Sequence, residues 1–337
     1  LVVDYGGKVK IMTAWLQGWV TGKSYEELNY TIALKKLGHK VYSFDVFPDE
    51  SSDDKLLQSV NIIKPDILLI KFYRDEIAKE TVKYISEHTK TTVVGIFGDD
   101  EKYFYKNGGK LRKDSAIVTS EYAPCVNYSV TTYLPAIEWY KKIGIPEDKI
   151  LHMYYCAEPK IYKKLNMKQD YDISFSGTIT PERVRIFKHL SVNDIRVHVF
   201  GNGWGDRCTQ SNNSSILEID NYVRLFSKTK VNLQINVDII DRKRILQIKA
   251  REYEVTMCGG FLLTHYNKLL EPCFEFGKEI ETYETDKELV DKIHYYLKND
   301  SKRELIAKAG HKRARRDHTS VVRFRKLLKQ IKLKGNK

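Results

Sequence analysis

The sequence predicts an α/β protein of two domains, each built on a parallel sheet. Three observations carry that reading. The 337 residues exceed the roughly 250 to 300 at which a single core stops growing. Short apolar runs alternate with amphipathic stretches through the first half, the pattern of strands buried on both faces between crossover helices. The second half opens a new alternation after a lysine-rich stretch at 157–169, which reads as a linker.

In chain order, residues 9–15 form a first strand and 16–23 a loop holding Gly18 and Gly22. Ser24 with Glu27 three residues later is a capping-box signal for a helix ending near Gly38. Residues 41–46, 66–72, 92–97 and 116–119 are the next strands, and 150–155 closes the domain. Gly98, Asp99 and Asp100 follow an apolar strand directly, so both carboxylates fall at its carboxyl end, where α/β sheets place ligands. They read as catalytic or acceptor-binding groups, or as a helix N-cap before Tyr103.

The second domain starts with a strand at 171–176 and a turn at Gly177, then a helix with Pro181 at its start and Arg183 in its first turn. A strand at 196–200 ends in Gly201, Asn202, Gly203 and Trp204, an aromatic that can stack on a nucleobase or cover the sheet end. Residues 206–215 read as a polar surface loop, 221–228 as a helix, 231–235 as a strand and 238–249 as a charged approach. Then comes QIKAREYEVTMCGGFLLTHYN, residues 247–267. Lys249 and Arg251 can hold phosphate oxygens and Glu254 a sugar diol. Gly259 and Gly260 allow close backbone approach, or they end a helix as a glycine C-cap. A helix at 286–297 carries Leu289, Ile293 and Leu297 on one face, and Phe324, Leu327, Leu328 and Ile331 form a terminal stripe.

Composition excludes several classes. With 42% hydrophobic and 30% charged residues and no apolar run near the roughly 20 of a membrane span, the expectation is a soluble globular protein. Leu1 is not a methionine, so the chain reads as a processed or excised piece. The five cysteines are scattered, without metal-ligand spacing, which predicts a reduced, metal-free cytoplasmic protein. The net charge of +13 is a tail property: residues 302–337 hold 14 Lys or Arg against Glu304 and Asp317, leaving +1 on the rest.

Arg251, Tyr253, Glu254, Cys258 and Gly259, followed by FLLT, resemble the C-terminal domain of the CgeB-like (spore-maturation-protein-B-like) glycosyltransferases. The likeness continues through DISFSG at 172–177, Arg183, FGNGW at 200–204, FEFGKEI at 274–280 and AGHKRARRDHT at 309–319. The FGDD of 97–100 repeats that family's F-x-D-D. The resemblance implies a GT-B fold, two Rossmann-like domains with parallel sheets facing across a cleft. It assigns 1–165 to the acceptor side, 166–320 to nucleotide-sugar binding and 321–337 to a basic helix that crosses back.

The activity it implies is sugar transfer from a nucleotide-sugar to an acceptor hydroxyl, in glycan or surface polysaccharide synthesis, with no metal or other cofactor. Asp99 and Asp100 are then the catalytic candidates. The donor side comprises Gly177, Arg183, Trp204, Lys249, Arg251, Glu254, Gly259, Gly260, His265, Tyr266 and Asn267. Glu254 corresponds to the ribose-binding Glu of E-x7-E transferases, but Leu246 stands where the partner Glu belongs. Expected partners are the donor, a glycan or lipid-linked acceptor, and an anionic membrane surface touched by the basic terminal segment. The rival readings are a nucleotide-sugar-binding scaffold without turnover and a nucleic-acid-modifying glycosyltransferase. Phe324 is the tail's one aromatic, so base stacking is not encoded there.

Overall fold

The computed structural model describes residues 8–16, 24–46, 52–72, 76–98, 100, 119–204, 211–213, 218–240 and 243–334. The chain divides into two compact units, Leu1–Tyr154 with Ser320–Lys337 and Tyr155–Thr319. Gly18, Gly22 and Asp99 lie outside the described residues.

The first unit holds six parallel strands, β1 (Lys10–Leu16), β2 (Lys40–Val46), β3 (Ile67–Lys71), β4 (Thr92–Phe97), β5 (Tyr128–Thr131) and β6 (Ile150–His152), in the order β2-β1-β3-β4-β5-β6. Its central strands are apolar on both faces because helices cover both. Met12, Leu68, Ile70 and Val93 join Leu56 and Val60 of α2 (Ser52–Ile63) and Val82 and Ile85 of α3 (Lys79–His88) in one core. The helix after β1 begins as predicted: the Ser24 hydroxyl accepts the Glu27 N–H at 3.1 Å. It runs through a π-turn (Glu27–Thr31) into α1 (Ile32–Lys36), and Gly38 follows at φ +87°, a left-handed value that favours glycine.

The strand expected at 116–119 does not extend to its last residue, and a strand not expected takes the fifth place. Thr119 opens α4 (Thr119–Tyr122) instead of ending a strand, and 116–118 lie outside the described residues. The fifth strand is Tyr128–Thr131, four buried residues between turns at Pro124 and Pro135. A strand that short and buried on both faces shows no alternation. After it, α5 (Ile137–Lys142) leads to β6.

The second unit has β7 (Tyr171–Ser176), α6 (Pro181–Val192), β8 (His198–Phe200), β9 (Ser211–Asn213), α7 (Ile219–Lys228) and β10 (Thr229–Gln234). An antiparallel ribbon follows, β11 (Val237–Ile240) with β12 (Lys243–Leu246), then α8 (Ala250–Met257), β13 (Leu262–His265), β14 (Glu281–Tyr283), α9 (Asp286–Lys298) and α10 (Asp300–Asp317). The parallel sheet runs β14-β13-β10-β7-β8-β9. Numbered from β7 this is the order 3-2-1-4-5-6 of a dinucleotide-binding sheet, whose switch point lies between β7 and β10.

The ribbon occupies the stretch read as a charged approach, and β9 lies inside the expected surface loop. The Ser-Asn-Asn of β9 carries no apolar pattern to betray it, and the ribbon's strands, four residues each, are too short to show a period. Nor is the lysine-rich stretch a free linker. Tyr162 and Glu158 are buried in the second unit, and the Tyr162 hydroxyl donates to Glu254 Oε1 at 2.8 Å.

Residues 320–337 return to the first unit. Along α11 (Ser320–Leu328) and beyond, Phe324, Leu327, Leu328 and Ile331 are buried, with the Phe324 ring 5.0 Å from Tyr30. The Lys332 and Lys334 amides reach the Tyr128 hydroxyl and Thr92 Oγ1, both at 3.1 Å.

Candidate functional site

In a sheet of this order, ligands meet the carboxyl ends of the strands at the switch point. There β7 ends in Gly177, and α6 starts with Thr180 as N-cap and Pro181 in its first turn. Arg183 spans the switch: its Nε and Nη2 donate to the Ile235 carbonyl at 3.1 and 3.0 Å, and Nη1 to the Thr178 carbonyl at 2.5 Å. Its guanidinium therefore fixes the loops after β7 and β10 to each other.

Trp204 is fully buried among Phe175 and Phe187, and its indole N–H donates to the Gly177 carbonyl at 2.7 Å. Base stacking is excluded for it: the ring covers the sheet end and has no open face. Trp204→Phe is expected to lower stability by about 1 to 3 kcal/mol through the stranded carbonyl. Nucleotide affinity should not change; melting curves and a nucleotide titration on the same variant check both.

Beyond β10 the chain returns to the same edge at the start of α8. Lys249 is its half-buried N-cap. The Glu252 carboxylate, fully buried, accepts the Lys249 amide at 3.1 Å and a hydrogen bond from Asn236 Nδ2. Asn236 Oδ1 in turn accepts from Gln234 Nε2 at 2.6 Å. Burial pushes the Glu252 carboxyl up to about 7 against the pull of these hydrogen bonds.

One turn on, Arg251 Nη1 donates to Glu254 Oε2 at 2.7 Å, and its guanidinium lies over the Tyr222 ring at 4.3 Å. Burial works against the Arg251 charge, but the Glu254 carboxylate together with Tyr222 and Tyr162 more than offsets it, and the guanidinium pKa is raised. Arg251 and Glu254 thus form one buried unit with Tyr162.

At the carboxyl end of β13 stand His265, Tyr266 and Asn267. His265 Nδ1 lies 2.9 Å from the Tyr266 carbonyl. Asn267 Nδ2 donates to the Gln247 carbonyl at 3.2 Å, while its Oδ1 accepts the Leu269 amide at 3.0 Å. The structure therefore gathers Gly177, Arg183, Lys249, His265, Tyr266 and Asn267 along one sheet edge.

Gly259 and Gly260 belong elsewhere. They precede β13, so in a parallel sheet they sit at the opposite, amino edge. Gly259, at φ +72°, donates to the Thr256 carbonyl, and Gly260 to the Val255 carbonyl, both at 3.0 Å. This is a Schellman cap on α8. A Cβ on Gly260 would come within 2.8 Å of Asn232 Nδ2, so packing and not a ligand requires the glycine.

Sequence reasoning missed Glu252, Asn236 and Gln234. An acid at the third helical position is a start signal, but Lys249 is not a capping side chain and hid it.

In the first unit, Asp100 is fully buried, and its Oδ2 accepts the Tyr140 hydroxyl at 3.0 Å. Also missed was the pair of Lys71, at the carboxyl end of β3, with buried Glu26. Their place is the switch point between β1 and β3. Burial and the nearby Arg323 hold the His152 imidazole down at about 4, so it is neutral near pH 7.

Residues 183–329 match the family model described as glycosyl transferase-like. No curated protein matches the chain in sequence. Among solved structures, sucrose-phosphate synthase from Thermosynechococcus elongatus superposes with a TM-score of 0.67 at 10% identity, over 96% of this chain and 99% of that one. The chain is a glycosyltransferase of the GT-B fold. Anabaena HepE in complex with UDP and glucose is similar to this glycosyltransferase with a TM-score of 0.65 at 10% identity, over 95% and 98% of the two chains. A glycosyltransferase from Rickettsia africae gives 0.63 at 10% identity, over 96% and 97%. Among the enzyme's described residues, no helix is long and apolar enough to cross a membrane.

Proposed function

We propose that this glycosyltransferase is CgeB-like and takes its sugar from a UDP-sugar held at the carboxyl edge of the second unit. The observation that carries the reading is the convergence of Lys249, the first turn of α8 and His265 to Asn267 on a sheet of order 3-2-1-4-5-6. Departure of UDP builds negative charge on phosphate oxygens. Amide N–H groups at a helix start and an ammonium beside them are preorganised to receive that charge, so the reading needs no metal. The buried Gln234 Oε1, which lacks a partner among the described residues, can take a hydrogen bond from the nucleoside. Two lone-pair sites of Glu254 are taken by Tyr162 and Arg251, and the remaining ones serve a ribose hydroxyl. The choice of uridine is supported by HepE, solved with UDP and with UDP-glucose.

On the acceptor side the carboxylates of Asp100 and Asp99 are our candidates for orienting and deprotonating a glycan or lipid-linked hydroxyl. The exposed Arg325, Lys326, Lys329 and Lys332, left outward by the buried stripe, fit an anionic membrane surface beside a cytoplasmic enzyme better than a nucleic acid. Calorimetric titration with UDP-, GDP-, CDP- and dTDP-sugars tests the donor assignment. UDP-sugars are expected to bind, and Lys249→Ala to weaken them about tenfold or more. Equal or better binding of another nucleotide, or wild-type affinity in Lys249→Ala, would overturn it.

A further inference from the structure

The amino edge of the second unit's sheet, opposite the proposed donor edge, holds a pocket of about 420 Å³. Lys164, Lys230, Arg303 and Lys308 line it against a single carboxylate, Glu304. Arg303 is 2% exposed. It is fixed by Nη1 to the Tyr296 carbonyl at 2.6 Å and to Asp300 at 2.8 Å, and its Nη2 lies 3.5 Å from Gln169 Oε1. Lys230 is held 2.6 Å from Asp172. Lys164 lies over the end of α8, where a Cβ on Gly259 would come within 3.0 Å of its Cδ. Among the described residues, neither Lys164 nor Lys308 is paired with a carboxylate.

Like charges gathered in a concave site repel, and an entering anion relieves that repulsion. The carbonyl end of α8 at this edge would oppose an anion, but the Schellman hydrogen bonds already take up the Thr256 and Val255 carbonyls. The lining cations are donors only, which suits phosphate oxygens. The volume falls within the range of small-molecule sites, roughly 300 to 1,000 Å³.

We propose that this pocket is a second anion site, built for a small molecule or headgroup carrying two or more phosphate charges and separate from the donor edge. It does not depend on the donor assignment. Two sources share the chemistry, a soluble phosphorylated molecule and a phosphorylated lipid, the latter because Lys308 continues into Lys312 and Arg315 along the outer face of α10.

The test is calorimetry of the full chain with sodium tripolyphosphate, together with sedimentation with phosphatidylcholine vesicles containing phosphatidic acid. Tripolyphosphate is expected to bind a site that survives Lys249→Ala and weakens about tenfold or more in the Lys164→Ala/Lys308→Ala double variant. Unchanged melting of that variant shows an intact fold. Vesicle binding lost in the same variant assigns the lipid source, and tripolyphosphate binding without vesicle binding assigns the soluble one. The proposal is overturned if neither probe binds, if tripolyphosphate binding disappears in Lys249→Ala, or if the control Lys312→Ala/Arg316→Ala weakens it equally, which is diffuse attraction.

Discussion

Replacing Glu254 with alanine is expected to cost about 3 kcal/mol of stability and nucleotide-sugar binding together. The side chains of Arg251 and Glu254 are 19% and 6% exposed, so truncating the acid leaves a largely desolvated guanidinium without its counter-charge. The Tyr162 hydroxyl loses its acceptor in the same step. Two features separate this from ordinary loss of a contact. Arg251→Met/Glu254→Ala should be more stable than Glu254→Ala alone, because it removes the stranded cation. Glu254→Gln should keep the Tyr162 hydrogen bond and recover part of the loss. Urea unfolding of the single and double variants, with UDP-glucose titration of each, makes the comparison. A double variant no more stable than Glu254→Ala would show that water screens the pair. Wild-type affinity in Glu254→Gln would remove the carboxylate from ribose recognition.

The second large effect is in the pH dependence of stability. Glu252 titrates near 7 when folded, against an ordinary value of 4.5. Between those values the folded chain holds a proton that the unfolded chain has lost. The contribution is therefore fully present below 4.5 and disappears as pH rises through 7. Its size is on the order of 3 kcal/mol. Glu252→Gln abolishes this titration, so the stability gap between variant and wild type should move in the variant's favour from about pH 5 to about pH 8. Denaturant midpoints measured across that range decide it. A gap that does not change with pH would mean that Glu252 is ionised throughout.

The fold was legible where strands are buried on both faces. Residues 92–97 form an apolar run and 171–176 alternate Tyr, Ile and Phe with polar residues, and the structure begins and ends both strands at those positions. It was not legible at Tyr128–Thr131, too short to show a period, nor in the ribbon after β10, whose two four-residue strands are equally short. The site followed the same division. Lys249 and Asn267 were readable because a helix start and a strand end are local events. The Asn236–Glu252 contact was not, because it depends on the antiparallel ribbon that folds Gln247 and the start of α8 back beside Asn236. Gly259 and Gly260 give the same signal for a ligand approach and a helix cap. Only the strand end on which they fall separates the two.

The return of residues 320–337 to the first unit sets an order on biosynthesis. The second unit is continuous in sequence and can form as soon as Thr319 has left the ribosome. The first cannot be completed until Phe324, Leu327 and Leu328 have followed, although its six strands were translated long before. Throughout that interval Tyr30 has its Trp15 and Tyr25 neighbours but lacks the Phe324 ring, and the apolar surface that Phe324 covers is open to chaperones and to neighbouring chains. A nonsense codon just before Ser320 would therefore spare every residue proposed for the donor edge and still yield a first unit prone to aggregation.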